Sequence, residues 1–467
     1  MSLPATAPQA PAPPADPLTR IPVGNGPIGI AMAPDGAHAY VSNFGSGTVS
    51  VIDTATRAVT ATVVTGAGPW GIAVSPDGSQ VYVSNFGSGT VSVIATATNT
   101  VVATIAGITS PVGVDFSPGG QFAYVVSQGG NAAVRVDTAT RAVVATVPVG
   151  IRPYNVLITP DATRAYVSNF GSGTVSVIDT ATDAVLTTIT GFDLPRGLAL
   201  TKDGLRLYVT DYGGNTVSVV STYSNTVVRT IGAQAIPFFV TVAPNGARAY
   251  VTVDGTSSVQ VIDTATDTVT ATVPGFNVPN WLAVTPDSRS VYVVDNGGNS
   301  VSVFRPPLGV LPEQGPIGGG TTVTITGQHF TGATAVKFGS RPARSFTVLD
   351  DNTITAVTPA GTGAVTVTVT APGGTGPLGH FYYIPPPLLT DLNPAAGPVG
   401  GGNTVVISGR NLSTTTEVRF GTTRMFPTVD SDSRLTVIAP AAAGPGDAQV
   451  QVITPGGPSN VLLYTYA

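Results

Sequence analysis

Short apolar runs broken at regular intervals by turn residues dominate the chain. In "PWGIAVSPDGSQVYVSNFGSGTVSVIATATNTVVATIAG" (69–107), four such runs follow one another: "GIAVS", "QVYVSN", "TVSVIA" and "TVVATI". Val, Ile and Thr at this length predict strands, here called a to d, and the Pro-Asp-Gly of "SPDG" predicts the a–b turn. The pattern repeats without an insertion. The Tyr of "YV" falls at Tyr40, Tyr82, Tyr124, Tyr166, Tyr208, Tyr250 and Tyr292, each step being 42 residues, and a Pro precedes each copy in register, from Pro27 to Pro279. A fixed period near 40 with four strands per unit predicts propeller blades. A Gly stands five residues after every Tyr, from Gly45 to Gly297, which predicts a backbone of positive φ there.

The ends of the array predict a closed ring. The seventh copy stops after strand c at "VSVFRPP" (301–307), while "LTRIPVG" (18–24) lies 42 residues ahead of "TATVVTG" (60–66). The N-terminal run should therefore supply the missing outer strand of the last blade and leave no open seam. Beyond 306 the period changes. "LPEQGPIGGGTTVTITGQHF" (311–330) matches "LNPAAGPVGGGNTVVISGRNL" (392–412), and Gly315 to Gly397 and Gly327 to Gly409 are both 82 apart. The division read from the sequence is a Pro/Ala-rich disordered leader (1–17), a propeller (18–305) and two modules (306–385 and 386–467). The Pro-rich hinges "RPPLG" and "IPPPL" predict a semi-rigid rod.

The blades resemble the YVTN-type bacterial β-propeller repeats, whose motif stands here as YVSN (40–43) or YVTD (208–211). The two C-terminal units resemble IPT/TIG modules, small immunoglobulin-like sandwiches. The fold class expected is thus all-β: a seven-bladed β-propeller closed by its N-terminal strand, then two tandem Ig-like β-sandwiches. The first resemblance implies an exported or cell-surface protein of a group in which few members have a known reaction. The second occurs in DNA-binding factors and in extracellular receptors.

Charge chooses between those settings. Only 10% of residues are charged, the net charge is -5, and no run of Lys or Arg exists. Nucleic-acid binding needs a basic footprint, so no nucleic-acid partner is expected. No stretch approaches the apolar length of a membrane span. The absence of Cys excludes disulfides, thiolate metal sites and Cys nucleophiles. The first 17 residues lack the basic and apolar regions of a signal peptide, so a secreted or cell-surface location is expected without a visible export signal.

Several motifs mimic chemistry. "GNGPIG" (24–29) satisfies G-x-G-x-x-G, but a strand follows where a dinucleotide site needs a helix. His38, His329 and His380 are far apart with no carboxylate at metal spacing. The Asp of "DTAT" (Asp53, Asp137, Asp179, Asp263) suits a side-chain-capped c–d turn. "DSDS" (430–433) lacks the Gly and distal Glu of a dedicated calcium loop. No cofactor, metal or catalytic residue is expected.

The copies differ at one place. In a propeller the d–a and b–c loops share one face, and the residue after the recurring Pro lies there. It reads Ile28, Trp70, Val112, Tyr154, Arg196, Phe238, Asn280 around the ring; the next position is small or polar until Phe239 and Trp281. Both tryptophans of the chain are included. The b–c loops add Phe44, Phe86, Phe170 and Tyr212, with Asp211, Asp254 and Asp295 nearby. Trp, Tyr and Arg anchor interfaces, so Trp70, Tyr154, Arg196, Phe238, Phe239, Asn280 and Trp281 are the candidate binding residues. The alternative for the same side chains is a plug in the central channel.

The leading expectation is a non-catalytic recognition or scaffold protein, a candidate component of a larger secreted assembly, whose rim binds a protein partner while the IPT/TIG modules act as stalk or docking units. A lectin-like propeller binding a cell-surface glycan is the first alternative. A lactonase- or lyase-type enzyme is the second, disfavoured because the rim lacks His and Glu. Asp115 stands alone in a strand a otherwise small or apolar at that position.

Overall fold

The computed structural model describes residues 18–467 apart from 234, 265, 306–308 and 328; the leader expected over 1–17 and part of the "RPPLG" hinge lie outside them. Seven four-stranded antiparallel sheets follow one another in the order a-b-c-d. The first comprises Pro27–Met32, His38–Asn43, Thr48–Asp53 and Ala58–Val64. The seventh holds Pro279–Val284, Val291–Asp295 and Ser300–Phe304, and Thr19–Pro22 supplies its outer strand, with Thr19 opposite Val303 and Pro22 opposite Ser300. The ring closes as the register of the repeats requires.

Strands b and c are buried on both faces because each sheet is sandwiched between its neighbours, whereas strand d is largely exposed to solvent. The Tyr of "YV" sits at the blade interface, almost fully buried in all seven copies. In several copies its hydroxyl reaches the c–d turn of the next blade: Tyr166 donates to Asn225 Oδ1 at 3.1 Å, Tyr124 to Asp183 and Tyr208 to Asp267. Those acceptors sit at positive φ, the conformation Asn and Asp tolerate best. The repeated Tyr is therefore a blade-to-blade tie as well as core.

Two turn expectations meet different outcomes. The Asp of "DTAT" caps its turn in every copy; Asp53 Oδ1 accepts both the Thr56 N–H and its hydroxyl at 2.7 Å, and these bonds hold the carboxyl of Asp53 below its usual pKa. The b–c Gly does not have positive φ. A Cβ on Gly171 would stand 2.9 Å from the Ile151 carbonyl oxygen, and one on Gly255 2.7 Å from that of Ala235. The position needs Gly because the d–a loop presses against it. Positive φ falls two residues later, at Gly47, Gly89, Asn131, Gly173, Asn215, Ser257 and Asn299.

Each C-terminal module is a two-sheet sandwich. The first pairs Gly309–Leu311, Thr322–Thr326, Thr353–Val357 and Ser345–Asp350 on one side, facing a five-stranded sheet around Gly363–Ala371 and Gly374–Ile384. The second repeats the plan with Thr404–Arg410 and Gly446–Thr454 at its two centres. The "DSDS" carboxylates serve local structure, Asp432 accepting from Ser413 and Asp430 from Thr436. The modules do not extend as a free rod. Arg289 of blade seven pairs with Asp350 of the first module, and the second module's Thr428–Ser431 strand lies against the outer strand Thr226–Gly232 of blade five. Arg206, Val227, Thr415 and Phe426 line a groove of 440 Å³ between them.

Candidate functional site

Strand a carries a bulge in every blade, immediately after the recurring Pro: the register shifts between Pro69 and Ile72, Pro195 and Leu198, and Pro237 and Val240, as in the other copies. A bulge re-aims the side chains within it. The varying residues occupy that bulge. Their backbone is fixed from the preceding blade, where the Ser or Thr of the YVSN/YVTD motif donates to the carbonyl of the varying residue: Ser42 to Trp70 at 2.5 Å, Ser168 to Arg196 at 2.7 Å and Thr210 to Phe238 at 3.0 Å. The repeat thus holds the backbone constant while the side chain is free to change.

The side chains converge. Trp70 contacts Phe44 and Phe86, both at 5.5 Å between ring centres, and Tyr154 at 6.1 Å; Tyr154 then contacts Phe170 and Phe238 at 6.4 Å, and Tyr212 joins those two. Arg196 lies inside this arc, its guanidinium carbon 3.9 Å from the ring centre of Tyr212, 4.3 Å from Phe238, 4.9 Å from Phe170 and 5.2 Å from Tyr154. Cation–π attraction holds it there. Among the described residues it has no carboxylate partner and no side-chain hydrogen bond.

Depth divides the seven candidates. Trp70, Arg196 and Phe238 are half-buried on the face, together with Phe86, Phe170 and Tyr212, and Phe44 is exposed. Tyr154, Phe239, Asn280 and Trp281 are buried beneath them, Trp281 only 4% exposed and stacked on Phe239 at 4.5 Å. These four close one end of the central channel. Burial pushes the Tyr154 hydroxyl above its usual pKa; Arg196 and the indole N–H groups of Trp70 and Trp281 pull it back. The loop carboxylates hold backbone: Asp211 accepts the Asp193 N–H at 2.5 Å and Asp295 the Asn277 N–H at 3.2 Å. Burial raises both, Asp211 to about 6.

Behind the plug the channel widens into a cavity of 660 Å³ that opens among Pro160, Lys202 and Pro244 of the a–b turns, on the opposite face. Its walls are the apolar side chains of strand a, and its floor includes Asn155, Phe239 and Trp281. Asp115 stands on the wall. Its Oδ2 accepts the Ile158 N–H of blade four at 2.8 Å, a donor on the innermost strand edge, and burial pushes its carboxyl up to about 7. Sequence reasoning singled out Asp115 but not the cavity, which only ring closure creates. Among the described residues no three His, Cys, Asp or Glu side chains converge as metal ligands do.

The architecture defines a seven-bladed propeller that carries two immunoglobulin-like modules. The family profile described as YNCE-like beta-propeller matches residues 26–129, and the IPT/TIG domain profile matches 308–383 and 387–466. The fold is therefore a seven-bladed propeller, matched by the YNCE-like profile over its first blades, followed by two Ig-like units that each match the IPT/TIG profile. Among solved structures it is similar to Kuenenia stuttgartiensis hydrazine synthase, at 24% identity over 66% of this chain and 99% of that chain, with a TM-score of 0.57; at this identity the likeness is one of fold. No curated protein matches the sequence. No helix among the described residues is long and apolar enough to cross a membrane.

Proposed function

We propose that this protein is a non-catalytic recognition protein, exported or displayed at the cell surface, whose propeller grips a protein partner on the face formed by the d–a and b–c loops. A propeller joined to IPT/TIG domains fits a scaffold or recognition protein in general. The observation that carries the specific reading is the arc from Phe44 to Phe238 around Arg196, with Arg152 over Phe170 at its edge: a continuous aromatic surface with two cations that no carboxylate among the described residues neutralises. Aromatic and Arg side chains are the anchors of protein interfaces, and a ring of packed neighbours excludes water around them. Ile151 and Val278 of the d–a loops add exposed apolar area on the same face. The IPT/TIG modules, seated against blades five and seven, serve as docking units that leave this face open.

Glycan stacking would want flat, exposed indoles, and Trp281 is buried against Phe239, which weighs toward a protein partner. The test is affinity capture from secreted and cell-surface fractions with intact protein and with the double variant Arg196→Ala/Phe170→Ser. Both positions are half-buried, so the variant keeps the core that Tyr154 or Trp281 substitutions would collapse; an unchanged melting temperature confirms this. A partner retained by the intact chain and lost from the variant is expected. Equal capture by both would refute the reading.

A further inference from the structure

The cavity behind the plug is chemically unlike the face, and it opens on the other side of the ring. Ligand pockets are typically about 300–1,000 Å³, mostly apolar, with a few placed polar groups; this one has 660 Å³. Its wall is built from the strand-a residues of successive blades. At the position of Asp115 the other six copies have Ala31, Ala73, Leu157, Ala199, Thr241 and Ala283. One carboxylate therefore stands in an apolar tube, and the only other charged lining residue is Lys202 at the mouth.

Asn155 supplies the second polar element. Its Oδ1 accepts the Val156 N–H at 2.9 Å, which leaves Nδ2 without a partner although the residue is 97% buried, at 3% exposure. It packs against Gly113, where a Cβ would stand 2.8 Å from its Cα. Asp115 on blade three and Asn155 on the adjacent blade four both line the cavity. Where four other blades have Gly29, Gly71, Gly113 and Gly197 and the last two have Phe239 and Trp281, blade four alone has this amide.

We propose that the channel is a binding site for a small apolar amine with a hydrogen-bond acceptor at its leading end: Asp115 pairs with the ammonium, Asn155 Nδ2 donates to the acceptor at the floor, and the strand-a side chains enclose the body. Burial already strains the Asp115 carboxylate, as its raised pKa shows, and a bound ammonium relieves that cost. The Ile158 N–H leaves a second carboxylate oxygen for the ligand.

Tyramine, with an ammonium and a hydroxyl at opposite ends of an apolar ring, is the probe, with 4-ethylphenol and 3-(4-hydroxyphenyl)propionate as controls that lack the amine or replace it with a carboxylate. Titration calorimetry on the full chain should show saturable 1:1 binding of tyramine, weakened about tenfold or more in Asp115→Asn. That substitution keeps an acceptor for the Ile158 N–H, so the fold survives. 4-Ethylphenol should bind more weakly and ignore the substitution, and the propionate should not bind. Arg196→Ala/Phe170→Ser should bind tyramine as the intact chain does, which keeps this site separate from the partner face. No saturable tyramine binding, equal binding by Asp115→Asn, or equal binding of the propionate would each overturn the proposal.

Discussion

At the residue scale, strain and burial sit where the repeat has been altered. The residue before the recurring Pro has positive φ in every blade. Blades one and two use Gly26 and Gly68, but blades six and seven use Ile236 and Val278, at φ of 64° and 53°. A β-branched residue is an outlier there. Left-handed backbone costs roughly 1–2 kcal/mol for such a residue and Gly loses roughly 0.5–1 kcal/mol in entropy, so Val278→Gly should stabilise by about 0.5–1 kcal/mol in denaturant unfolding. Asp115 gives the opposite kind of case. Its folded pKa of about 7 exceeds the unfolded 3.8, so the native state holds the proton more tightly between those values. Its effect is nil below about pH 4, and stability falls as pH rises toward 7. The gap caps the loss at about 4 kcal/mol. Asp115→Asn should flatten the melting-temperature profile over that window; an unchanged slope would show that the carboxylate ionises freely.

The blade is the element, and its faithful copies have a mechanical meaning. The strands, the Pro-Asp-Gly turns and the Asp-capped turns were all legible, because they follow from periods of two and from local hydrogen bonding. The Tyr tie was not, since its acceptor lies in the next blade. Tyr166→Phe should lose about 1 kcal/mol for the bond to Asn225. Tyr82, whose buried hydroxyl has no partner, should tolerate the same change without loss. Comparable losses at both positions would mean that the cross-blade hydrogen bond is not what the Tyr166 hydroxyl contributes. The bulge explains what the sequence left ambiguous at the site. Neighbouring positions in it, such as Phe238 and Phe239, go to different depths, whereas Asn280 and Trp281 are both buried, and no pattern of hydrophobicity says which faces out. The b–c Gly was misread for a related reason: its constraint comes from the d–a loop across the turn, invisible in local sequence.

For the whole molecule, closure and placement decide function. The seven-fold ring exists only if Thr19–Pro22 pairs with blade seven, and Ile21 is 2% exposed in that blade's core. Ile21→Asp would bury an unpaired carboxylate in the seam; the cost of several kcal/mol should appear as loss of cooperative unfolding of the propeller. The contacts of both IPT/TIG modules with the propeller were not legible, because ion pairs such as Arg289 with Asp350 are single pairs between distant segments. Their placement leaves the aromatic face free, and that face is the central claim. The most direct measurement places a photo-crosslinking residue at Phe170 on that face, and separately at Asp77 in the a–b turn on the other, in otherwise intact protein exposed to secreted and surface fractions. A discrete protein adduct from position 170 and none from position 77 is expected. Adducts from position 77 alone, or none from position 170 under conditions where the intact protein captures a partner, would contradict it.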